Sequence, residues 1–347
     1  MRVVVVGASG NVGTAVLRAL HRRPEVTSVV GVARRFPDRS SAPYDGAEWV
    51  RADIGEPVRG SAEEMELLAH LEGTFAGADA VVHLAWLLQP NHEREVLRRT
   101  NVEGTRRVAL AAAGAGVRHL VVGSSVGAYG GVDDDLPRDE TWPTLGVPTS
   151  EYSVDKAAQE RVVDEVHRDN PAMVVARVRP GLIFQEAAGA EIARYFLGRF
   201  VPVRPLRRHR LPFAPLPAGV RAQALHADDV ADAYARIVVQ RAGGPFNLAA
   251  DDLLTADALA RVLDHGRLVE LPPRLVRAVV AGTWHAHLQP TSPGWVDLAM
   301  SVPVMDTTRA RVVLGWRPRR TAASALRELM RGIAHGEGGA SVPMRPR

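Results

Sequence analysis

Val3-Val-Val-Val-Gly-Ala-Ser-Gly-Asn-Val-Gly13 decides the fold. Four β-branched residues read as a buried strand, and Gly7, Gly10 and Gly13 fall where that strand gives way to a helix. A helix N-terminus offers amides with no partner inside the helix, and glycine lets an anionic oxygen approach backbone that a Cβ would shield. The stretch predicts a pyrophosphate cradle with Gly7, Ser9, Gly10, Asn11, Val12 and Gly13 as its contacts. The spacing is GxxGxxG, not the commoner GxGxxG, so its weight comes from its place between strand and helix.

Outward from this stretch, short β-branched runs alternate with segments of helical period. Arg2–Val6, Ser28–Ala33, Ala80–Leu84, Leu120–Gly123 and Met173–Arg179 read as strands, with helices at 11–22, 63–76, 92–114 and 151–169. Continuous apolar strands, each followed by a helix, predict an α/β fold: a Rossmann-type doubly wound parallel sheet with right-handed crossovers. After Pro180 the pattern changes. Residues 181–224 are rich in Pro and Arg with one helix near Ala187–Phe200, 226–249 read as a helix and strand returning to the sheet, and 250–335 are mainly helical. The expected division is a dinucleotide-binding domain of residues 1–180 plus 225–250, and a smaller, mainly helical C-terminal substrate lobe of 181–224 plus 251–335. The Gly/Pro-rich end, 336–347, reads as a disordered tail.

Composition narrows the chemistry. The 347 residues carry a net charge of +4, with no cysteine, so disulfides and thiolate chemistry are excluded. No basic stretch is interleaved with aromatics, which argues against nucleic acid. No apolar run reaches the roughly 18 residues of a membrane span, and no signal peptide is evident; a cytoplasmic location is the expectation. His285 and His287 stand two apart and would face different sides of a helix, so no metal site is expected.

Of 43 basic residues only Lys156 is lysine. It closes Tyr152-Ser-Val-Asp-Lys156, a YxxxK on the helix opened by Pro148, Thr149 and Ser150. Residues four apart share a helical face. An ammonium beside a phenol lowers the phenol pKa and suits Tyr152 to proton exchange with a substrate oxygen. Both side chains would also reach the nicotinamide ribose. The second strand ends in Ala33 without a carboxylate for the adenosine ribose, and Arg34 and Arg35 follow it. That favours NADP(H), with NAD(H) the alternative. Arg-Arg also recurs elsewhere in the chain, so the missing acid weighs more than the arginines.

In order along nearly the whole chain, these motifs resemble those of the extended short-chain dehydrogenases/reductases, often labelled NAD-dependent epimerase/dehydratases. Asp53-Ile54 matches the family's adenine contact, and His83-Leu-Ala85, with Leu84, Ala85 and Trp86, the segment along the cofactor. Asn101 matches a cofactor-side asparagine, Ser125 the serine ending the fifth strand, and Arg179-Pro-Gly181, with Pro180 and Gly181, the end of the sixth. Leu225-His-Ala-Asp-Asp-Val230 and Leu314-Gly-Trp-Arg-Pro318 match later segments. The resemblance implies that Ser125 holds the reacting oxygen, Tyr152 is the acid/base and Lys156 tunes it. It also implies a homodimer through the helices near 92–114 and 151–169.

Departures from the family pattern qualify the activity. Dehydratases carry Asp-Glu where this chain has Val126-Gly127, and many nucleotide-sugar enzymes carry asparagine where it has Leu182-Ile-Phe184. Trp86-Leu-Leu88 suggests an apolar wall, and Arg204–Arg210 a possible anion contact. The expected function is reversible hydride transfer at a secondary alcohol or ketone of a small metabolite. The alternatives are a sugar epimerase that retains its cofactor, and a non-enzymatic dinucleotide sensor.

Overall fold

Alternate side chains of β1 (Arg2–Val6) enter two different cores: Val3 and Val5 one, Val4 and Val6 the other. A strand buried on both faces belongs in the middle of a sheet covered on both sides. The computed structural model, which describes residues 1–89, 91–197, 214–262 and 268–346, has this arrangement. Beside β1 run β2 (Ser28–Ala33), β3 (Glu48–Arg51), β4 (Ala80–His83), β5 (His119–Gly123) and β6 (Val174–Pro180). The small strands β7 (Leu182–Phe184), β8 (Ala214–Pro217) and β9 (Arg221–His226) come next, then β10 (Gly244–Leu248), β11 (Leu253–Thr255) and β12 (Leu268–Leu271). The main sheet is parallel throughout, in the order β10-β6-β5-β4-β1-β2-β3, so the strand order reverses at β1 and a crevice opens beyond its carboxyl end.

Helices α1 (Asn11–His21) and α2 (Ser61–Phe75) flank the sheet with α3 (Arg94–Arg98), α4 (Gly104–Gly114), α5 (Glu151–Asp169) and, beyond α6 (Gly189–Ile192), α7 (Ala227–Gln240). Leu17 and Leu20 of α1 and Ile237 of α7 share the core of Val3 and Val5; Leu71 of α2, Val108 of α4 and Val163 of α5 share that of Val4 and Val6. The lobe holds α8 (Ala256–Val262), α9 (Pro273–His285), α10 (Gly294–Ser301), α11 (Thr308–Leu314) and α12 (Ala322–His335). It also contains a β11-β9-β7 sheet and the pair β12-β8, more strand than its sequence suggested.

The structure departs from the sequence reading in several places. β3 lacks an apolar run because it is the half-exposed edge of the sheet. The helix expected over 92–114 is interrupted by a π-helical turn, Arg99–Glu103, which aims Asn101 at the chain beyond β4. Near 187–200 there is a 3₁₀ turn, α6 and a π turn ending at Leu197; the remainder, like Arg204–Arg210, lies outside the described residues. A Cβ on Gly189 would lie 2.2 Å from the Gly332 carbonyl carbon of α12, so two backbones meet where this run begins. Residues 336–346 are not a loose end. Ser341 and Met344 are buried, the Asp38 amide donates to the Ala340 carbonyl (2.9 Å), and the Met344 sulfur lies 3.6 Å from the Thr14 hydroxyl. No helix among the described residues is long and apolar enough to cross a membrane.

Behind the sheet ends lies a buried ion pair. Arg179 at the end of β6 donates through Nε to Glu160 Oε1 (2.8 Å) and through a terminal nitrogen to Oε2 (2.5 Å). Arg179 also meets the Tyr129 hydroxyl (2.9 Å), and the Ser124 hydroxyl donates to Glu160 (2.5 Å). Removing one member strands the other's charge. Glu160→Gln should cost about 3–5 kcal/mol in urea unfolding, and Glu160→Leu with Arg179→Met distinctly less. Equal losses in the two variants would mean that the pair's charges are not what the site depends on.

Candidate active site

The β1–α1 turn is built by contacts that admit no side chain. Gly7 sits at φ +87°, and a Cβ there would lie 2.5 Å from the Ala85 nitrogen; one on Gly13 would lie 2.3 Å from the Gly7 carbonyl oxygen. Gly10 is different. Its backbone is extended, and a Cβ would meet nothing nearer than the Gly7 oxygen at 3.5 Å. The fold does not require glycine at 10; an anion approaching the helix would. As N-cap of α1, Gly10 supplies no side chain to the first amides. The residues present therefore fit a dinucleotide pyrophosphate.

Around this turn Gly7, Ser9, Gly10, Arg34, Arg35, Asp53, Ile54, Leu84, Ala85 and Trp86 line one cleft, with Leu87, Thr100, Glu191, Tyr195 and Pro343. Asn11, Val12, Gly13, Asn101, Tyr152, Lys156, Pro180 and Gly181 do not line it. Asn11 instead holds the lobe: its backbone carbonyl accepts from Gln185 Nε2 (3.0 Å). Asn101 positions the wall, accepting from the Leu87 amide (2.7 Å) and donating to the Leu87 carbonyl (2.9 Å). Gly181 serves packing: its Cβ would lie 2.3 Å from the Gln223 oxygen of β9. Arg34 stands 3.8 Å from Asp53, whose other oxygen accepts from the Gly55 amide (3.0 Å).

Ser125, Tyr152 and Lys156 do converge beyond β5, though not as the spacing alone suggested. The Ser125 hydroxyl accepts from the Gly127 amide (3.0 Å) and hydrogen-bonds the Tyr152 phenol. Burial pushes Tyr152 up to about 12, with Ser125 opposing. Lys156 does not sit beneath the phenol. Its ammonium donates to the Gly123 carbonyl (2.8 Å) and Gln159 Oε1 (3.0 Å) and lies 3.5 Å from the Trp86 ring centroid. Burial lowers its pKa to about 7, against the pull of Glu160 and Asp155. The expected lowering of the phenol by the ammonium is therefore absent, because backbone, amide and indole hold the cation elsewhere.

Gln159, Thr105, Trp295 and Phe196 contribute without a linear signal, beside His83 and Trp86, which the motifs had marked. Gln159 Nε2 donates to the Thr105 hydroxyl (3.2 Å), which is 2.9 Å from His83 Nε2, so a buried chain of hydrogen bonds fixes Lys156. Burial, then Lys156, lowers His83 to about 3 and keeps it neutral. Trp295 of α10 lies 4.7 Å from the Tyr152 ring, Trp86 5.8 Å from it, and Phe196 5.1 Å from Trp295. The phenol thus sits in an aromatic enclosure contributed by both parts of the chain.

The profile of the NAD dependent epimerase/dehydratase family matches residues 3–249. An uncharacterized protein of Mycobacterium tuberculosis is 27% identical over 337 residues, covering 95% of this chain and 83% of that one. A UDP-glucose 4-epimerase of Mycolicibacterium smegmatis is 28% identical over 339 residues, 94% and 96% of the two chains. Sterol demethylase protein B of Methylococcus capsulatus is 30% identical over 217 residues, 58% of this chain and 60% of its own. Among solved structures, the dTDP-glucose 4,6-dehydratase of Streptomyces venezuelae with NAD and TYD bound superposes at TM-score 0.70, with 21% identity and coverage of 99% and 100%.

Gly10→Ala should leave the thermal midpoint unchanged or slightly higher, since the backbone tolerates alanine, yet weaken dinucleotide binding at least about tenfold. Gly13→Ala should lose stability as well; titration beside thermal unfolding separates the two, and unchanged affinity in Gly10→Ala would remove the cradle argument. Lys156 gives a pH signature. Its folded pKa, about 7, lies below the ordinary lysine value. Between about 7 and 10.4 the unfolded chain holds the proton that the folded one has released, so this group makes stability rise with pH, by at most about 1.4 kcal/mol per unit. Urea unfolding at pH 7 and 9.5 should show a flatter dependence in Lys156→Met. An unchanged slope would mean Lys156 stays charged.

Proposed function

This chain belongs to the NAD dependent epimerase/dehydratase family and is an enzyme, and from that premise we propose that it carries out reversible hydride transfer at a secondary alcohol or ketone of a small metabolite with an apolar face. The aromatic enclosure of Tyr152 by Trp86, Trp295 and Phe196 carries this reading. A ketone or alcohol carbon presented there meets ring faces, while its oxygen meets two hydroxyls.

In this proposal Ser125 holds the substrate oxygen and Tyr152 gives it a proton as the carbonyl is reduced, or removes one as the alcohol is oxidised. A bound nicotinamide supplies or takes the hydride at its C4. Lys156, near neutrality, replenishes the proton and balances charge. Dehydration is disfavoured by the space itself, since a Cβ on Gly127 would lie 2.9 Å from Tyr152 Cε1. An acidic side chain has no room there unless the phenol moves.

The missing carboxylate after Ala33, with Arg34 and Arg35 behind it, favoured NADP(H) in the sequence; we propose NAD(H) first. Arg34 already faces Asp53, and the Streptomyces dehydratase is described with NAD. A cytoplasmic homodimer, joined through α4 and α5, remains part of the proposal. The second reading is an epimerase that retains its cofactor, favoured by the near end-to-end match to the UDP-glucose 4-epimerase.

A turnover assay separates the two. Consumption of added NADH with hydrophobic ketones, and no interconversion of UDP-sugars, is expected; UDP-glucose epimerised without added cofactor would sink the reductase reading. Tyr152→Phe should lower kcat/KM about 100-fold or more while leaving cofactor affinity within about twofold. Retention of more than a tenth of the activity would remove Tyr152 from proton transfer.

A further inference from the structure

The end of β2 offers no carboxylate to an adenosine ribose, yet besides Asp53 a second carboxylate reaches the cleft from the other lobe. Glu191, on α6 of the opposite lobe, lines the same cleft as Arg34, Arg35 and Asp53. The residue is only 6% exposed, and its Oε2 makes no hydrogen bond. Tyr195 stands beside the carboxyl and opposes the upward shift that burial gives Glu191. A buried oxygen without a partner is costly, and a ligand hydroxyl entering the cleft that Glu191 lines would relieve that cost.

The side of the cleft is set by topology. β2 and β3 lie on one side of β1, β4 and β5 on the other. Ser125, Tyr152 and Lys156 lie beyond β5 and on α5, so the reacting half of a dinucleotide belongs there and the adenosine half beside Arg34, Arg35 and Asp53. Tyr195 feels the charge of Arg34 as well as that of Glu191, so the Glu191–Tyr195 pair stands across from the end of β2.

We propose that Glu191 is a specificity-determining residue, accepting a hydroxyl of the adenosine ribose through its free oxygen and repelling a 2′-phosphate. The carboxylate expected at the end of the second strand is supplied across the cleft by the substrate lobe. A 2′-phosphate brought to Arg34 would meet Asp53 and Glu191 together, and two carboxylates offset the attraction of the arginines. A ribose diol instead pairs with an acceptor that has none. This rests on the dinucleotide reading above and deepens it.

The test is titration of NADH and NADPH against the full chain, read by quenching of tryptophan emission, since Trp86 lines the cleft. Thermal unfolding of each variant runs alongside. Wild type should bind NADH more tightly than NADPH. Glu191→Gln keeps the shape and removes the charge, and should shift the ratio of the two affinities toward NADPH by about tenfold or more. Glu191→Asp keeps the charge one methylene short, and should weaken NADH without gaining NADPH; it serves as a second reading if the glutamine variant folds poorly. An unchanged ratio in both variants, or an equal loss for both cofactors, overturns the assignment while leaving the dinucleotide reading intact. Equal binding of the two cofactors by wild type overturns it in the same way. Binding of neither overturns both.

Discussion

The buried pair of Glu160 and Arg179 fixes what surrounds it. Glu160 lies on α5 four residues after Lys156 and eight after Tyr152, so the helical turn that holds Glu160 also holds those two on the same face. Its partner closes β6, and the Ser124 hydroxyl that donates to it precedes Ser125. One carboxylate thereby ties the ends of β5 and β6 to the helix that carries Tyr152 and Lys156. In a low dielectric such a pair is costly to bury and more costly to break. Tyr129 and Asn247 extend the network to β10: the Tyr129 hydroxyl donates to Asn247 Oδ1 (2.6 Å). The strand ends beneath the site are held by hydrogen bonds rather than by loop packing alone.

The same burial produces the opposed shifts of Tyr152 and Lys156. Desolvation disfavours the charged form of each, so it raises an acid and lowers a base. Phenol and ammonium, nearly matched at their ordinary values of 10.0 and 10.5, therefore move apart in proton affinity and exchange order, the phenol up to about 12 and the ammonium down to about 7. Lysine is better suited than arginine to this position: a compact ammonium fits between a carbonyl, an amide oxygen and an indole face, and can lose its proton near neutrality. Lys156 is thus required by its environment, which accounts for its survival in a chain that uses arginine everywhere else.

What could be read from the sequence was what short-range physics fixes. The Val3–Val6 run, the three glycines and the YxxxK pair each define a local geometry, and their order along the chain was enough for the sheet and the helix of Tyr152 and Lys156. What could not be read depends on contacts between distant segments. β3 owes its existence to pairing with β2 and not to its own Glu-Trp-Val-Arg. The π turn at Asn101 goes with the side chain's two hydrogen bonds to Leu87, and a helical period gives no sign of that. Trp295 and Glu191 carry no motif and enter the site only because the lobe folds over it. The choice between the two cofactors was not legible for the converse reason: sequence shows the charge of Arg34 and Arg35 but not that Asp53 stands beside one of them.

The cleft is therefore a joint between parts of the chain, and its stability is shared. The glycine turn belongs to β1 and α1, one wall to the segment beyond β4, the roof to Glu191 and Tyr195, and a corner to Pro343 of the C-terminal segment. That corner is held in turn by Arg194, which donates to the Arg345 carbonyl (3.0 Å), while Gln185 grips Asn11 at the mouth of the cleft. A molecule bound between these parts touches all of them at once and binds the folded chain alone, so its affinity adds to folding stability by mass action. Any loosening of the lobe or of the C-terminal segment must, by the same linkage, appear as weaker binding in the cleft. The glycines that let the backbone approach an anion and the carboxylate that waits opposite are held in register by the same contacts that hold the two parts of the chain together.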